Sequence, residues 1–218
     1  MSTIALIPIR AGSKSIANKN MKRMMGKPLC FWVIEAALKA NEVDTVVVST
    51  ESDDYAKKVS AAFPSVEIHE RSAEMATDGA QLEPVMLEVA AIYKAKILML
   101  LQATNPMTTH KDIDNALNLL EHGQYDSLLS VVPFDSFLWT QDGPVNYDPA
   151  KRKNRQDMDV EYRVENGSIY ITKADVLKKY KCRIAGRVVQ YLMSEKTSTE
   201  IDEPHQFAMV EALMARKV

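Results

Sequence analysis

Residues 10–20 carry Arg10, Lys14 and Lys19 among Gly12, Ser13, Ser15, Asn18 and Asn20, with no acid in the segment. Cationic side chains interleaved with small polar residues suit one kind of chemistry above others, the gathering of a polyanion such as a chain of phosphates. The segment follows an apolar run at residues 4–9, rich in branched side chains and short enough for a buried strand, and precedes Gly26-Lys27-Pro28 and a helix-like apolar stretch. A strand feeding a cationic loop ahead of a helix is a common phosphate-binding arrangement. It is neither a Walker A loop, since G-x-x-x-x-G-K-[ST] is absent, nor a dinucleotide fingerprint, since G-x-G-x-x-G is absent. The alternative is a solvated basic loop after a first strand.

The elements that must position this loop follow an alternating order. Strands are expected at residues 4–9, 45–50, 66–69, 96–102, 126–132, 168–172 and 187–193. Helices are expected over 28–40, 55–63, 84–93, 109–120, 174–180 and 203–215. Thr109 and Asp112 have the spacing of a capping box, and Gly123 suits the end of that helix. Short connections between alternating strands and helices imply an α/β fold: a mostly parallel sheet with helices on both faces. Ligands of such sheets bind outside the carboxyl ends of the strands. The polar loops at 10–20, 49–53, 71–81 and 102–105 all fall near that edge. Residues 133–165 break the alternation, with several prolines and aromatics and the basic cluster 151–155, and read as an excursion from the sheet. An arm of that length in a small enzyme is often an oligomer contact.

Composition bounds the function. The 218 residues allow one or at most two domains and a sizeable core. A hydrophobic content of 46%, a charged content of 26% and a net charge of -2 are ordinary for a soluble globular protein, and argue against a nucleic-acid scaffold. Cys30 and Cys182 are far apart and argue for a reducing compartment without a disulfide framework. Neither a signal peptide nor a membrane-spanning apolar stretch is evident, so the cytoplasm is the expected location and no membrane partner is expected. The four histidines, His69, His110, His122 and His205, show no zinc spacing.

Taken in order, IPIRAGSKSIANKN, GKPL, VVVSTES, RSAEMATD, LQATNP, PAKRKNRQD, ENGSIYI and STEID resemble the motifs of the acylneuraminate cytidylyltransferases over nearly the whole chain. The resemblance implies a Rossmann-like single domain over 1–218, with 133–165 as a projecting dimerisation arm, and a homodimer. It also implies CTP as co-substrate, Mg²⁺ as cofactor, and transfer of CMP to the anomeric hydroxyl of a nine-carbon 2-keto sugar acid (a nonulosonic acid), with release of pyrophosphate. Positioning and charge neutralisation would be the protein's main tasks in that reaction.

Carried over position by position, the likeness places Arg10, Lys14 and Lys19 on the triphosphate, with Ser13 and loop N–H groups beside them and Gly12 admitting a close backbone approach. Asn20, Arg71 and Asp78 match nucleotide-contacting positions; the alternative for Asn20 is a loop-capping amide. Glu200 and Asp202 stand in place of the family's metal-binding D-I-D pair, and carboxylates two apart in an extended segment point to one side. The alternative for Asp202 is a cap on the last helix, a role compatible with the first. Gln102, Asn166 and Tyr170 match sugar-site positions, with packed core as the alternative for Tyr170. Arg155, in R-Q-D, is implied as a catalytic residue reaching the partner's site, with Lys14 and Asp202 as the other catalytic groups; otherwise Arg155 is one more member of a basic surface cluster.

The sequence departs from the family pattern in several places. Ala11 and Ser15 replace two glycines, Glu200 replaces an aspartate, and Arg183-Ile184 stands near the place of paired aromatics that contact the N-acyl group. These departures leave the sugar open among neuraminic, legionaminic, pseudaminic and deaminated nonulosonic acids. Two other readings compete. A Kdo cytidylyltransferase is disfavoured by Ser13-Lys14 and Lys19-Asn20, where that family reads R-x-x-S-T-R-L-P. A catalytically silent nucleotide- or sugar-binding subunit is disfavoured by the retention of Arg10, Lys14 and Asp202.

Overall fold

The computed structural model describes residues 2–77, 79–154, 157, 160–197 and 199–216. Its centre is a seven-stranded sheet in the order β7-β5-β6-β4-β1-β2-β3. The strands are β1 (Thr3–Pro8), β2 (Thr45–Thr50), β3 (Glu67–Glu70), β4 (Ile97–Leu101), β5 (Ser127–Phe134), β6 (Tyr162–Lys173) and β7 (Val188–Leu192). Parallel pairing joins β1 to β2 and β4, β2 to β3, and β5 to β7. β6 alone runs antiparallel, inserted between β4 and β5.

Among the described residues there are six α-helices, of which the first five pack on the sheet: α1 (Leu29–Lys39), α2 (Asp53–Ala62), α3 (Glu83–Ile92), α4 (His110–His122), α5 (Ala174–Tyr180) and α6 (Pro204–Ala215). The expected α/β architecture is therefore observed, with helices on both faces. The central strands bury both of their faces, as continuous apolar runs require. On one face Ala5 and Ile7 of β1 and Met99 and Leu101 of β4 pack with Cys30 and Ile34 of α1, Val59 of α2 and Ile113 of α4. On the other, Ile4, Leu6, Leu98 and Leu100 pack with Val85 and Val89 of α3 and Leu177 of α5. A third cluster joins Ile16, Met24, Met107 and Ile201 to Phe207 and Val210 of α6.

Local chemistry accounts for the helix ends. The Thr109 side chain accepts from the Asp112 N–H, the Asp112 carboxylate accepts from the Thr109 N–H, and the capping box is complete. Gly123 does end α4, but it keeps a right-handed conformation; the left-handed residue is Gln124, at φ 53°. A Cβ on Gly123 would fall 2.1 Å from the Tyr125 ring, so glycine is required there for close approach and not for its φ.

β5 and β6 pair as far as Phe134 and Tyr162, and the described residues between them lie outside the sheet. That excursion holds a ribbon of two-residue strands, Trp139–Thr140 with Gly143–Pro144, and a cluster of half-buried Phe137 and Tyr147 with exposed Trp139. Arg152 lies over Phe137 at 4.5 Å, and the Trp139 indole N–H donates to the Tyr147 hydroxyl at 2.8 Å. No helix of the described residues is long and apolar enough to cross a membrane. Both cysteines are free thiols.

Candidate active site

The 10–20 loop leaves β1 at the carboxyl edge of the sheet. It is a braced structure. The Ile9 N–H donates to the Ser49 carbonyl at 2.9 Å and the Asn20 side-chain N–H donates to the Arg10 carbonyl at 2.9 Å. Asn18 is left-handed at φ 51°, a conformation asparagine tolerates, and its carboxamide oxygen accepts from the Tyr55 hydroxyl at 3.2 Å. Ile16, buried in the third cluster, pins the middle of the loop.

The opposite wall comes from the segment before α6. Ile201 is fully buried, and its N–H donates to the Thr104 carbonyl at 3.1 Å. With Ile201 turned inward, its neighbours Glu200 and Asp202 both open on the cleft, as the period of an extended chain dictates. The Thr104 hydroxyl donates to Glu200 Oε1 at 3.0 Å. Burial, then the neighbouring Asp202 charge, pushes the Glu200 carboxyl above its ordinary range, against the pull of Thr104 and Lys19. Gly167 faces this carboxylate in a left-handed conformation, φ +69°, and a Cβ there would lie 2.7 Å from Glu200 Oε2. Asp202 does not cap α6. The cap is Glu203, whose carboxylate forms a capping box with Gln206; Gln206 Oε1 also accepts from the Asp202 N–H at 2.8 Å.

Between these walls lies a cleft of about 260 Å³. Arg10, Lys19, Asn20 and Arg71 contribute cations and an amide, Gln102 and Thr104 supply further polar groups, and Glu200 and Asp202 supply acids. Pro8, Thr77, Ala80 and Leu82 also line it. Lys19 is not turned to open solvent. Its ammonium donates to the Ile201 carbonyl at 2.8 Å and to Asp202 Oδ1 at 2.9 Å, while the Ser15 hydroxyl donates to the Asp202 carbonyl. Arg71 is buried and donates to Glu51 Oε2 at 3.0 Å, and the Ala11 N–H donates to Glu51 Oε1 at 2.7 Å. At least one loop N–H is thus spent inside the protein and not presented to a ligand.

The structure brings Arg10, Lys19, Asn20, Arg71, Gln102, Glu200 and Asp202 to one cleft. Gly12, Ser13 and Lys14 follow Arg10 on the loop, outside the cleft's lining. Asn166 is buried behind it: the Ser130 hydroxyl donates to Asn166 Oδ1 at 2.6 Å, and its Nδ2 contacts Met193 Sδ at 3.3 Å. Tyr170 is buried on the α3 side of the sheet, its hydroxyl donating to Glu165 at 2.9 Å and Arg183 lying over its ring at 5.1 Å. Burial and this bond to Glu165 raise the Tyr170 hydroxyl's pKa. Asp78 and Arg155 lie outside the described residues. Thr104, Glu51 and Gly167 also bear on the site, through Glu200, Arg71 and the loop, and no motif in the sequence marks them as site residues. A Thr at a strand's carboxyl end, a Glu just beyond β2 and an Asn-Gly pair were the signals available.

Cations on one wall and carboxylates on the other suit a phosphate chain bound together with a hard cation. The donor set fits such a cation: two carboxylates on one extended segment repel one another across the mouth of the cleft, a field that a dication relieves. No group of three or more His, Cys, Asp or Glu side chains converges among the described residues. One or two carboxylates completed by phosphate oxygens and water is the way Mg²⁺ is commonly held.

Comparison with known proteins gives the same direction. The sequence profile described as "Cytidylyltransferase" matches residues 4–213. The chain is 33% identical over 221 residues to N-acylneuraminate cytidylyltransferase A of Danio rerio, covering 97% of this chain and 50% of that protein. It is 29% identical to N-acylneuraminate cytidylyltransferase of Escherichia coli O18:K1:H7, covering 98% of this chain and 52% of that one. The chain thus spans about half the length of these relatives. It is also 28% identical to post-translational flagellin modification protein B of Campylobacter coli, covering 98% of this chain and 95% of that protein. Among solved structures, CMP:2-keto-3-deoxy-manno-octonic acid synthetase complexed with CTP superposes with a TM-score of 0.78 at 19% identity, over all of both chains.

Proposed function

The chain belongs to the cytidylyltransferase family, and on that premise we propose that it transfers CMP from CTP to the anomeric hydroxyl of a nine-carbon 2-keto sugar acid, releasing pyrophosphate. The observation that carries this reading is the meeting of Arg10, Lys19 and Arg71 with Glu200 and Asp202 around one cleft at the carboxyl edge of the sheet. In-line attack on the α-phosphorus needs the triphosphate held, its charge offset and the sugar hydroxyl aimed. Arg10 and Arg71 bind and orient the nucleotide, with Lys14, Ser13 and Gly12 closing over it from the loop and Asn20 holding the loop's shape. Asp78 is assigned to the same nucleotide. Gln102 orients the sugar acid. Glu200 and Asp202 would hold Mg²⁺, which when bound polarises phosphate oxygens and offsets developing charge.

The sugar acid also needs a cation for its own carboxylate, and Arg155 is assigned that part and a catalytic one. Asn166 acts from behind the cleft wall and Tyr170 from the α3 side. In this reading 1–218 forms one catalytic domain and 133–165 an arm to a second copy of the chain. Leu138, Trp139, Val145, Val160 and Val164 are exposed on or beside that segment, apolar surface that a partner copy would cover.

The test is pyrophosphate release with each of four nucleoside triphosphates and Mg²⁺, against a panel of nonulosonic acids and the eight-carbon acid Kdo. Release with CTP and a nonulosonic acid is expected. Release with Kdo alone would replace the substrate class, and CTP binding without release from any pair would leave a silent binding subunit.

A further inference from the structure

We propose that Glu51 is a positioning residue for the nucleotide: its one carboxylate fixes the phosphate loop and Arg71 in a single arrangement that CTP requires. This rests on the cytidylyltransferase reading above. Glu51 follows directly on β2, and the backbone there already bridges two strand exits. The Ser49 carbonyl accepts from Ile9 of the β1 exit at 2.9 Å, and the Thr50 carbonyl accepts from Arg71 of the β3 exit at 2.9 Å. The Glu51 side chain extends that bridge outward, with Oε1 on the Ala11 N–H at 2.7 Å and Oε2 on Arg71 Nη2 at 3.0 Å.

Burial gives this bridge its force. The Arg71 side chain is 3% exposed and that of Glu51 19%, so the pair is sheltered from the water that weakens surface ion pairs. Arg71 Nε is buried with no hydrogen-bond partner among the described residues. Glu51 neutralises this guanidinium through Nη2, so the charge of a residue that lines the cleft is held in one place. Ala11 lies between Arg10, which lines the cleft, and Gly12, so holding its N–H sets where Arg10 leaves the strand. Glu51 itself does not line the cleft.

Both carboxylate oxygens are occupied, and this makes the residue type specific. Glutamine offers one acceptor and one N–H donor to two donors, so one of the two bonds must fail and the charge is lost. Aspartate is one methylene shorter and cannot span from Ala11 to Arg71 in the same arrangement.

The test is CTP binding by calorimetry, with steady-state kinetics, on wild type, E51Q, R71M and the double variant. Losing one charge-assisted hydrogen bond should weaken CTP binding about tenfold or more in E51Q. The loss should fall on the KM for CTP, with kcat at saturating CTP within about threefold of wild type, a split that a general loosening of the fold would not give. The E51Q and R71M effects should be less than additive, since both act through one contact. Should E51Q fail to fold, E51D carries the same expectation. CTP binding within about twofold of wild type in the folded variant, or fully additive effects, would overturn the proposal while leaving the enzymatic reading intact. Absence of CTP binding by the wild-type protein would overturn both.

Discussion

Replacing Gly167 by alanine separates a structural cost from a functional one. Gly167 is left-handed, and a Cβ in that conformation costs about 1–2 kcal/mol. For a chain of this size that is a fall of about 2–8 °C in Tm. The same Cβ would stand 2.7 Å from Glu200 Oε2 and 3.3 Å from Oε1. The carboxylate must retreat by roughly 0.7 Å to reach ordinary contact, which pulls it off the Thr104 hydroxyl. Glu200 is a flexible side chain, so the retreat costs little stability. A displacement approaching 1 Å at a reacting centre nonetheless costs on the order of ten- to a hundredfold in rate. Gly26 supplies the comparison: it too is left-handed, at φ +88°, but a Cβ there meets no atom within 4 Å. Thermal melts and pyrophosphate release on Gly167→Ala and Gly26→Ala should show similar losses of stability and loss of activity in the first alone. Wild-type activity in a folded Gly167→Ala protein, or equal activity losses in both, would refute the role given to the Glu200 carboxylate.

Other consequences concern charge and thiols. Asp126 accepts from the Arg187 N–H and from Lys173, which hold its carboxyl below the ordinary carboxylate value of 3.8. Its folded pKa is depressed, so its stabilisation is present above that value and fades as pH falls through it toward the folded pKa. Asp126→Asn should therefore lower stability at neutral pH and flatten the acid limb of a Tm-versus-pH curve. The Cys30 thiol is pushed up to about 12 by burial, while Cys182 is exposed. A thiol reagent at neutral pH should modify Cys182 quickly and reach Cys30 only after unfolding, as peptide mapping would show. Asp202→Asn should leave the fold intact and abolish turnover, read by circular dichroism and pyrophosphate release.

Much of the framework is written locally. The 45–50 and 96–102 runs, the Thr109–Asp112 box and the short α5 follow from apolar runs, cap chemistry and helical spacing, all carried by neighbours in sequence. The strand order is not local. β6 lies antiparallel between β4 and β5, and its pattern of buried residues would be the same in either direction. Its start at Tyr162 was also hidden, because residues 163–165 are polar or exposed and the pairing with β5 shifts register between Glu165 and Tyr170.

The site divides in the same way. Residue type pointed to Arg10 on the cationic loop after β1, whereas Asn20, Arg71, Gln102, Glu200 and Asp202 were named by the resemblance to the acylneuraminate cytidylyltransferases, and all six line the one cleft. The partners they choose were not legible. The Lys19 contact with Asp202 spans 183 positions, and Glu51 joins two loops that sequence alone leaves separate. Asn166, which the resemblance matches to a sugar-site position, is 2% exposed and accepts from the Ser130 hydroxyl beside the register shift of β6, a burial that its neighbours in sequence do not signal.

The central claim is most directly tested by following the phosphorus atoms. The protein would be incubated with Mg²⁺, a nonulosonic acid and CTP labelled at either the α- or the γ-phosphate. The account predicts that the α-label moves into a CMP-sugar conjugate and the γ-label into pyrophosphate. Label appearing as CDP and inorganic phosphate, or remaining in CTP with every sugar acid, would contradict it.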